Sequence, residues 1–85
     1  MKIKEFIEEK IQKKEEIWNE IKTKNFVFFI TCDEEDMKNN DYVVIDIYEN
    51  TETPRKQVFS EALEQDEIDK ISQFDEEIVK IQNMN

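Results

Sequence analysis

The stretch Phe26-Val27-Phe28-Phe29-Ile30-Thr31-Cys32 is aromatic and β-branched throughout, and Asn25 and Asp33 bound it. That composition suits the pleated surface of a strand. Alternation places Phe26, Phe28 and Ile30 on one face and Val27 and Phe29 on the other. A partner strand follows at residues 42–49. There Val43, Ile45 and Ile47 alternate with Tyr42, Val44, Asp46 and Tyr48. The first set is expected to face the core and the second to form an outer sheet face. Residues 55–59 (Arg-Lys-Gln-Val-Phe) read as a third, edge strand.

The connections must turn without glycine, because the chain has none. Average usage of about 7% would give about six. Between the first two strands lies Asp33-Glu34-Glu35-Asp36-Met37-Lys38-Asn39-Asn40-Asp41, where Asn39-Asn40 best tolerates positive φ. Residues 49–54 (Glu-Asn-Thr-Glu-Thr-Pro) are turn-like and end in proline.

Upstream, residues 2–24 read as one amphipathic helix. Ile3, Phe6, Ile7, Ile11, Ile17, Trp18 and Ile21 fall within an arc of roughly 140° at about 100° per residue. Downstream, a last helix begins at Ser60 or Asp66. Ile68, Ile71, Phe74, Ile78 and Ile81 line its apolar stripe. Lys10 and Lys14 sit inside the first stripe, and Glu67 and Asp75 lie close to the second. A lysine–carboxylate pair across a helix–helix seam is the expectation. The predicted fold is a single α+β domain over 1–85, in the order α-β-β-β-α. A small antiparallel sheet of two to three strands carries an N-terminal and a C-terminal helix on one face.

Charge dominates the composition. Twenty-two acids against 12 bases give a net of −10. Residues 1–24 carry 7 Lys and 6 Glu, so the deficit falls on the remainder. Phosphate backbones repel such a chain, which argues against direct nucleic-acid binding. Basic protein surfaces attract it. The N-terminus has no uninterrupted apolar run, so no signal peptide is expected. The longest apolar run, residues 26–30, is too short to span a bilayer. With a single cysteine, Cys32, a cytoplasmic location is expected.

Catalysis is not expected. Histidine is absent, so Cys32, Ser60 and Ser72 lack an imidazole partner. The run Asp33 to Asp36 has consecutive acids and no glycine, unlike a calcium loop. Phosphate cradles need glycine-rich loops. No cofactor or metal is therefore expected.

Two candidate binding surfaces remain. The first is acidic: Asp33, Glu34, Glu35, Asp36 and Asp41 in one loop, Glu49 and Glu52 in the next, then Glu61, Glu64, Asp66, Asp69, Glu76 and Glu77. Carboxylates on a rigid scaffold can imitate duplex phosphates, spaced one per about 1.7 Å of axis. An ordinary solvated acidic face has the same composition. The second is the outer sheet face, with Tyr42, Val44 and Tyr48, joined by Val27 and Phe29.

In size, net charge, helix–sheet–helix build and lack of catalytic residues, the chain resembles small acidic phage-encoded inhibitors such as anti-CRISPR proteins and DNA mimics. The resemblance covers composition and no motif, so it carries over no functional residue. It implies a non-enzymatic inhibitor of a basic, nucleic-acid-handling protein. The rival expectation is an antitoxin or assembly subunit that binds through the apolar sheet face, or a homodimeric structural protein. No membrane partner is expected, and the state is a monomer or a homodimer.

Overall fold

The computed structural model describes residues 1–84. Its centre is a five-stranded antiparallel sheet in the order β4-β3-β2-β1-β5. The strands are β1 (Ile17–Thr23), β2 (Phe26–Cys32), β3 (Val43–Glu49), β4 (Gln57–Leu63) and β5 (Ile78–Asn83). Helix α1 (Ile3–Lys13) precedes the sheet, and the short helix α2 (Glu34–Lys38) lies between β2 and β3. A ten-residue 3₁₀ segment, Gln65–Phe74, joins β4 to β5.

The expected sheet of two to three strands is thus corrected to five. Two strands lie where helix was expected. The first predicted helix stops at Lys13, and Lys14 takes a left-handed conformation with φ 57°. Residues 12–16 (Gln-Lys-Lys-Glu-Glu) supply no apolar side chain for a further turn to bury. The chain then resumes as β1, with Ile17, Asn19, Ile21 and Thr23 turned to the core and Trp18, Glu20 and Lys22 turned out. The second predicted helix is replaced by the end of β4, the 3₁₀ segment and β5. Gln65, Ile68, Ile71 and Phe74 recur every third residue, and three residues per turn line them up on one side. The segment begins with a reciprocal cap: the Glu67 carboxylate accepts from the Glu64 N–H at 3.1 Å.

Helix α1 and the 3₁₀ segment cover one face of the sheet. Ile3, Phe6 and Ile7 of α1 meet Ile21, Phe28, Ile30, Ile45, Ile47, Ile68 and Ile71 in one buried cluster. Phe74 stacks edge-on against Phe26 at 5.3 Å and Phe59 at 5.8 Å. As expected from alternation, Val43, Ile45 and Ile47 face this core, while Val44, Asp46 and Tyr48 face away. No helix or strand lies over the other sheet face among the described residues, but the β3–β4 connection reaches onto it. Thr53 and Arg55 line a hollow with Phe29, Asp46 and Tyr48, and Val27 on that face is fully buried instead of exposed.

The seam between α1 and the 3₁₀ segment also differs from expectation. Lys10 pairs with Glu15 at 3.5 Å, and Lys14 Nζ donates to Asn40 Oδ1 at 3.1 Å. Glu67 pairs with Lys70 at 2.9 Å. Asp75 Oδ1 accepts the Lys4 backbone N–H at 3.2 Å. The ion pair that crosses the seam joins Lys4 to Asp69. Lys4 lies about 1.7 turns of α1 before Lys10, and Lys14 falls at the cap beyond the last helical residue.

Candidate binding surface at one end of the sheet

Antiparallel pairing puts the start of β1, the end of β2, the start of β3 and the ends of β4 and β5 at one end of the sheet. The connections there carry Glu15 and Glu16, then Asp33 to Tyr42, then Glu64 to Asp66. Each is held in place by identifiable bonds. Asp33 Oδ1 caps α2 by accepting the Asp36 N–H at 2.7 Å. The acids Glu34, Glu35 and Asp36 fill its first turn, where the helix dipole favours negative charge. Met37 is fully buried and anchors α2 to the core. Asn40 takes the positive φ expected of this turn, 58°. Gln65 Nε2 donates to the Met37 carbonyl at 3.4 Å and the Asp41 carbonyl at 3.1 Å, which ties the α2 connection to the start of the 3₁₀ segment.

The result is a concentrated negative pole. Only Glu15 and Glu34 among these acids have a basic partner within 4 Å among the described residues, namely Lys10 and Lys38. Glu16, Asp33, Glu35, Asp36, Asp41, Glu64 and Asp66 have none. The field shows in two neighbouring groups. Partial desolvation pushes the Asp36 carboxyl above its ordinary value, helped by Asp33, Asp41 and Glu35. Burial pushes the Cys32 thiol up to about 11, with Asp36, Asp33 and Asp41 adding to the effect.

Apolar side chains border this pole. Trp18 opposes Thr31, which opposes Val44, which opposes Ala62, in one row across the outer face. Trp18 is 44% exposed, Val44 41% and Tyr42 53%. A hollow of about 460 Å³ lies between Asn40, Asp41, Tyr42, Glu64, Gln65 and Asp66. A wider groove of about 810 Å³ runs from Lys10 and Lys14 past Glu15, Glu16 and Trp18 to Asp33, Glu34 and Asn83.

The structure divides the residues singled out from sequence. Asp33, Glu34, Glu35, Asp36, Asp41, Tyr42, Glu64 and Asp66 come together, and Val44 lies beside them. Glu49 and Glu52 lie at the opposite end, a seven-residue strand away, which is roughly 20 Å. Tyr48 points outward near that far end, edge-on to Phe29 at 5.7 Å. Glu61 sits mid-way along the edge strand β4, opposite Ile45 and so on the helix side. Glu76 and Glu77 flank the start of β5, where Glu77 pairs with the Met1 amine at 2.8 Å.

Sequence reasoning missed Trp18, Glu15 and Glu16 at this surface, because it placed all three inside a helix. The available signal was the alternation of residues 17–23, which competes there with a helical spacing. No group of three or more His, Cys, Asp or Glu side chains among the described residues is arranged to hold a metal ion. No helix among them is long and apolar enough to cross a membrane. No protein-family model, no curated protein and no solved structure matches this chain.

Proposed function

We propose that the protein is a non-enzymatic, cytoplasmic binding protein that inhibits a basic, nucleic-acid-handling partner by occupying its cationic surface. The observation that supports this reading is the pole itself: seven carboxylates without a basic partner within 4 Å among the described residues, gathered by three separate connections at one end of the sheet. Charge so concentrated steers a cationic partner from a distance and sets which end of the molecule meets it. Trp18 and Tyr42 beside the pole are the anchors in this reading, since Trp and Tyr are enriched among the few residues that carry most of the binding energy of an interface. Anti-CRISPR proteins that imitate DNA are the type of inhibitor meant.

The test is capture of partners from host lysate on the tagged protein at low and high salt. A nucleic-acid-binding protein held at low salt and shed at high salt supports the reading, because salt screens charge pairs within about 8 Å at physiological strength. The triple variant Glu16→Lys, Glu35→Lys, Asp66→Lys should then lose that partner. Retention by the variant would sink the proposal.

A second reading rests on the pole end of the outer sheet face, where Trp18, Val44 and Tyr42 are exposed together. An antitoxin-like or assembly partner docking there would resist salt and be lost on Trp18→Ala.

A further inference from the structure

Strand β5 lies at the edge of the sheet, paired with β1 on one side. On the other, among the described residues, the Met1–Lys2 segment bridges Glu77 and the Met1 carbonyl accepts the Ile78 N–H at 2.9 Å, and no strand lies along the edge from Val79 to Asn83. The Met84 N–H donates to the Trp18 carbonyl at 2.9 Å. Antiparallel alternation from that bond turns the backbone groups of Gln82 and Lys80 toward β1, and those of Ile81 and Asn83 toward the open edge. Ile81 stands in the same row as buried Ile21, on the helix side of the sheet, yet is 47% exposed. Val79, at the bulge, is 73% exposed. The strand carries a single charge, Lys80, in a chain of net −10.

We propose that a second copy of this chain pairs along this edge, β5 against β5 and antiparallel, about a two-fold axis beside Ile81. Sidedness fixes the register, because opposed residues must share a face. Ile81 opposite the partner's Ile81 satisfies this, and the two exchange the backbone bonds that the open edge leaves free. Ile21, Ile81 and their two counterparts then form one apolar row on the helix side.

On the outer face the same register sets Lys80 opposite the partner's Gln82, so no like charges meet. One strand further lies the partner's Glu20, about 9.6 Å from Lys80 between Cα atoms, which the two side chains can span. The antiparallel arrangement also sends the two acidic poles to opposite ends of the joined sheet. Edge β4 lacks these properties. Glu61 sits mid-strand there, and its Val58 and Phe59 already pack on the core. A six-residue edge buries less than the roughly 800 Å² per partner of a standard interface, so the dimer is a reversible one.

The experiment is sedimentation equilibrium of the full chain from micromolar to millimolar concentration, with amide hydrogen exchange at both extremes. The expected result is a monomer–dimer equilibrium in which Ile81→Lys raises the Kd at least about tenfold, and in which the Ile81 amide exchanges more slowly at high concentration. A monomer throughout overturns the proposal. So does a dimer whose Kd ignores Ile81→Lys and whose Ile81 amide exchanges equally at both concentrations. If Ile81→Lys does not fold, the exchange of the unaltered chain decides alone.

Discussion

Thr23 and Glu76 are 53 positions apart in the chain, and the Thr23 hydroxyl donates to the Glu76 carboxylate at 2.6 Å. The same carboxylate accepts the Asn25 backbone N–H at 3.1 Å and Asn25 Nδ2 at 2.5 Å. One side chain thus fastens the β1–β2 turn to the entry of β5.

This clasp makes the fold sensitive to acid. Partial burial works against the Glu76 charge, but the hydrogen bonds from Thr23 and Asn25 outweigh it and hold the carboxyl below its ordinary 4.5. A carboxyl lowered in the folded state adds stability that is present above 4.5 and is lost as pH falls through the lowered value. Glu76→Ala should cost about 2 kcal/mol at pH 7, as for hydrogen bonds to a charged group. Urea titrations from pH 7 to pH 3 should show a flatter acid limb in Glu76→Ala than in the unaltered chain.

Asn19 is 8% exposed, and its Nδ2 donates to the Gln82 carbonyl at 3.3 Å and to Asn83 Oδ1 at 3.1 Å. Asn19→Ala removes both bonds and should destabilise the chain by about 1–2 kcal/mol. Amides of β5 should gain exchange rate more than those of β2 and β3. Equal loss across all five strands would contradict a role confined to β5.

Trp18 is the single tryptophan and is half in water. Its emission should be red-shifted and open to acrylamide quenching in the folded protein. Trp18→Ala should change stability by no more than about 0.5 kcal/mol, as for a surface position. By contrast Ile21→Ala, at 0% exposure three residues on, should cost about 2–5 kcal/mol. Had residues 17–21 been helical, both side chains would lie on the buried stripe and both changes would be severe. Comparing the two melting curves therefore tests β1 directly.

Cys32 should be unreactive. A thiol pushed up to about 11 is almost entirely protonated at pH 8, and the side chain is 3% exposed. A thiol reagent should label it at least about a hundredfold more slowly in buffer than in denaturant, because the thiolate is the nucleophile. Fast labelling of the native chain would mean that the end of β2 opens readily.

Strands β2 and β3 were legible because each is an unbroken β-branched and aromatic run with clear alternation. Strand β1 was not, since Ile17 and Ile21 are four apart, a spacing that fits both a helix stripe and one side of a strand. The polar residue between them, Asn19, looks like a helix surface position. In the structure it is buried because its carboxamide is bonded to the end of β5.

Strand β5 was hidden differently. The register shifts between Lys22 and Thr23, so Val79 is an extra residue, and Ile78 and Ile81 stand three apart instead of two or four. A spacing of three after Ile68, Ile71 and Phe74 continues what looks like helix. Half of the acidic surface was legible as well: the run Asp33 to Asp36 announces itself, but its union with Glu64 and Asp66 depends on β4 ending at Leu63. The fold, and not the sequence spacing, separates those acids from Glu49 and Glu52.

The negative pole also has a shape. It caps the ends of β4, β3, β2 and β1, so its breadth follows the sheet: three inter-strand spacings of about 4.8 Å, or roughly 14 Å, with a thickness set by one sheet and its covering layer. A cationic surface drawn to it would meet the protein end-on, as a narrow bar, with the layer of α1 and the 3₁₀ segment on one side and the outer sheet face on the other. A partner held there by Trp18 and Tyr42 would cover the pole end of the outer face but not the backbone groups of β5 beside Ile81, so charge recognition and self-pairing are compatible in one molecule.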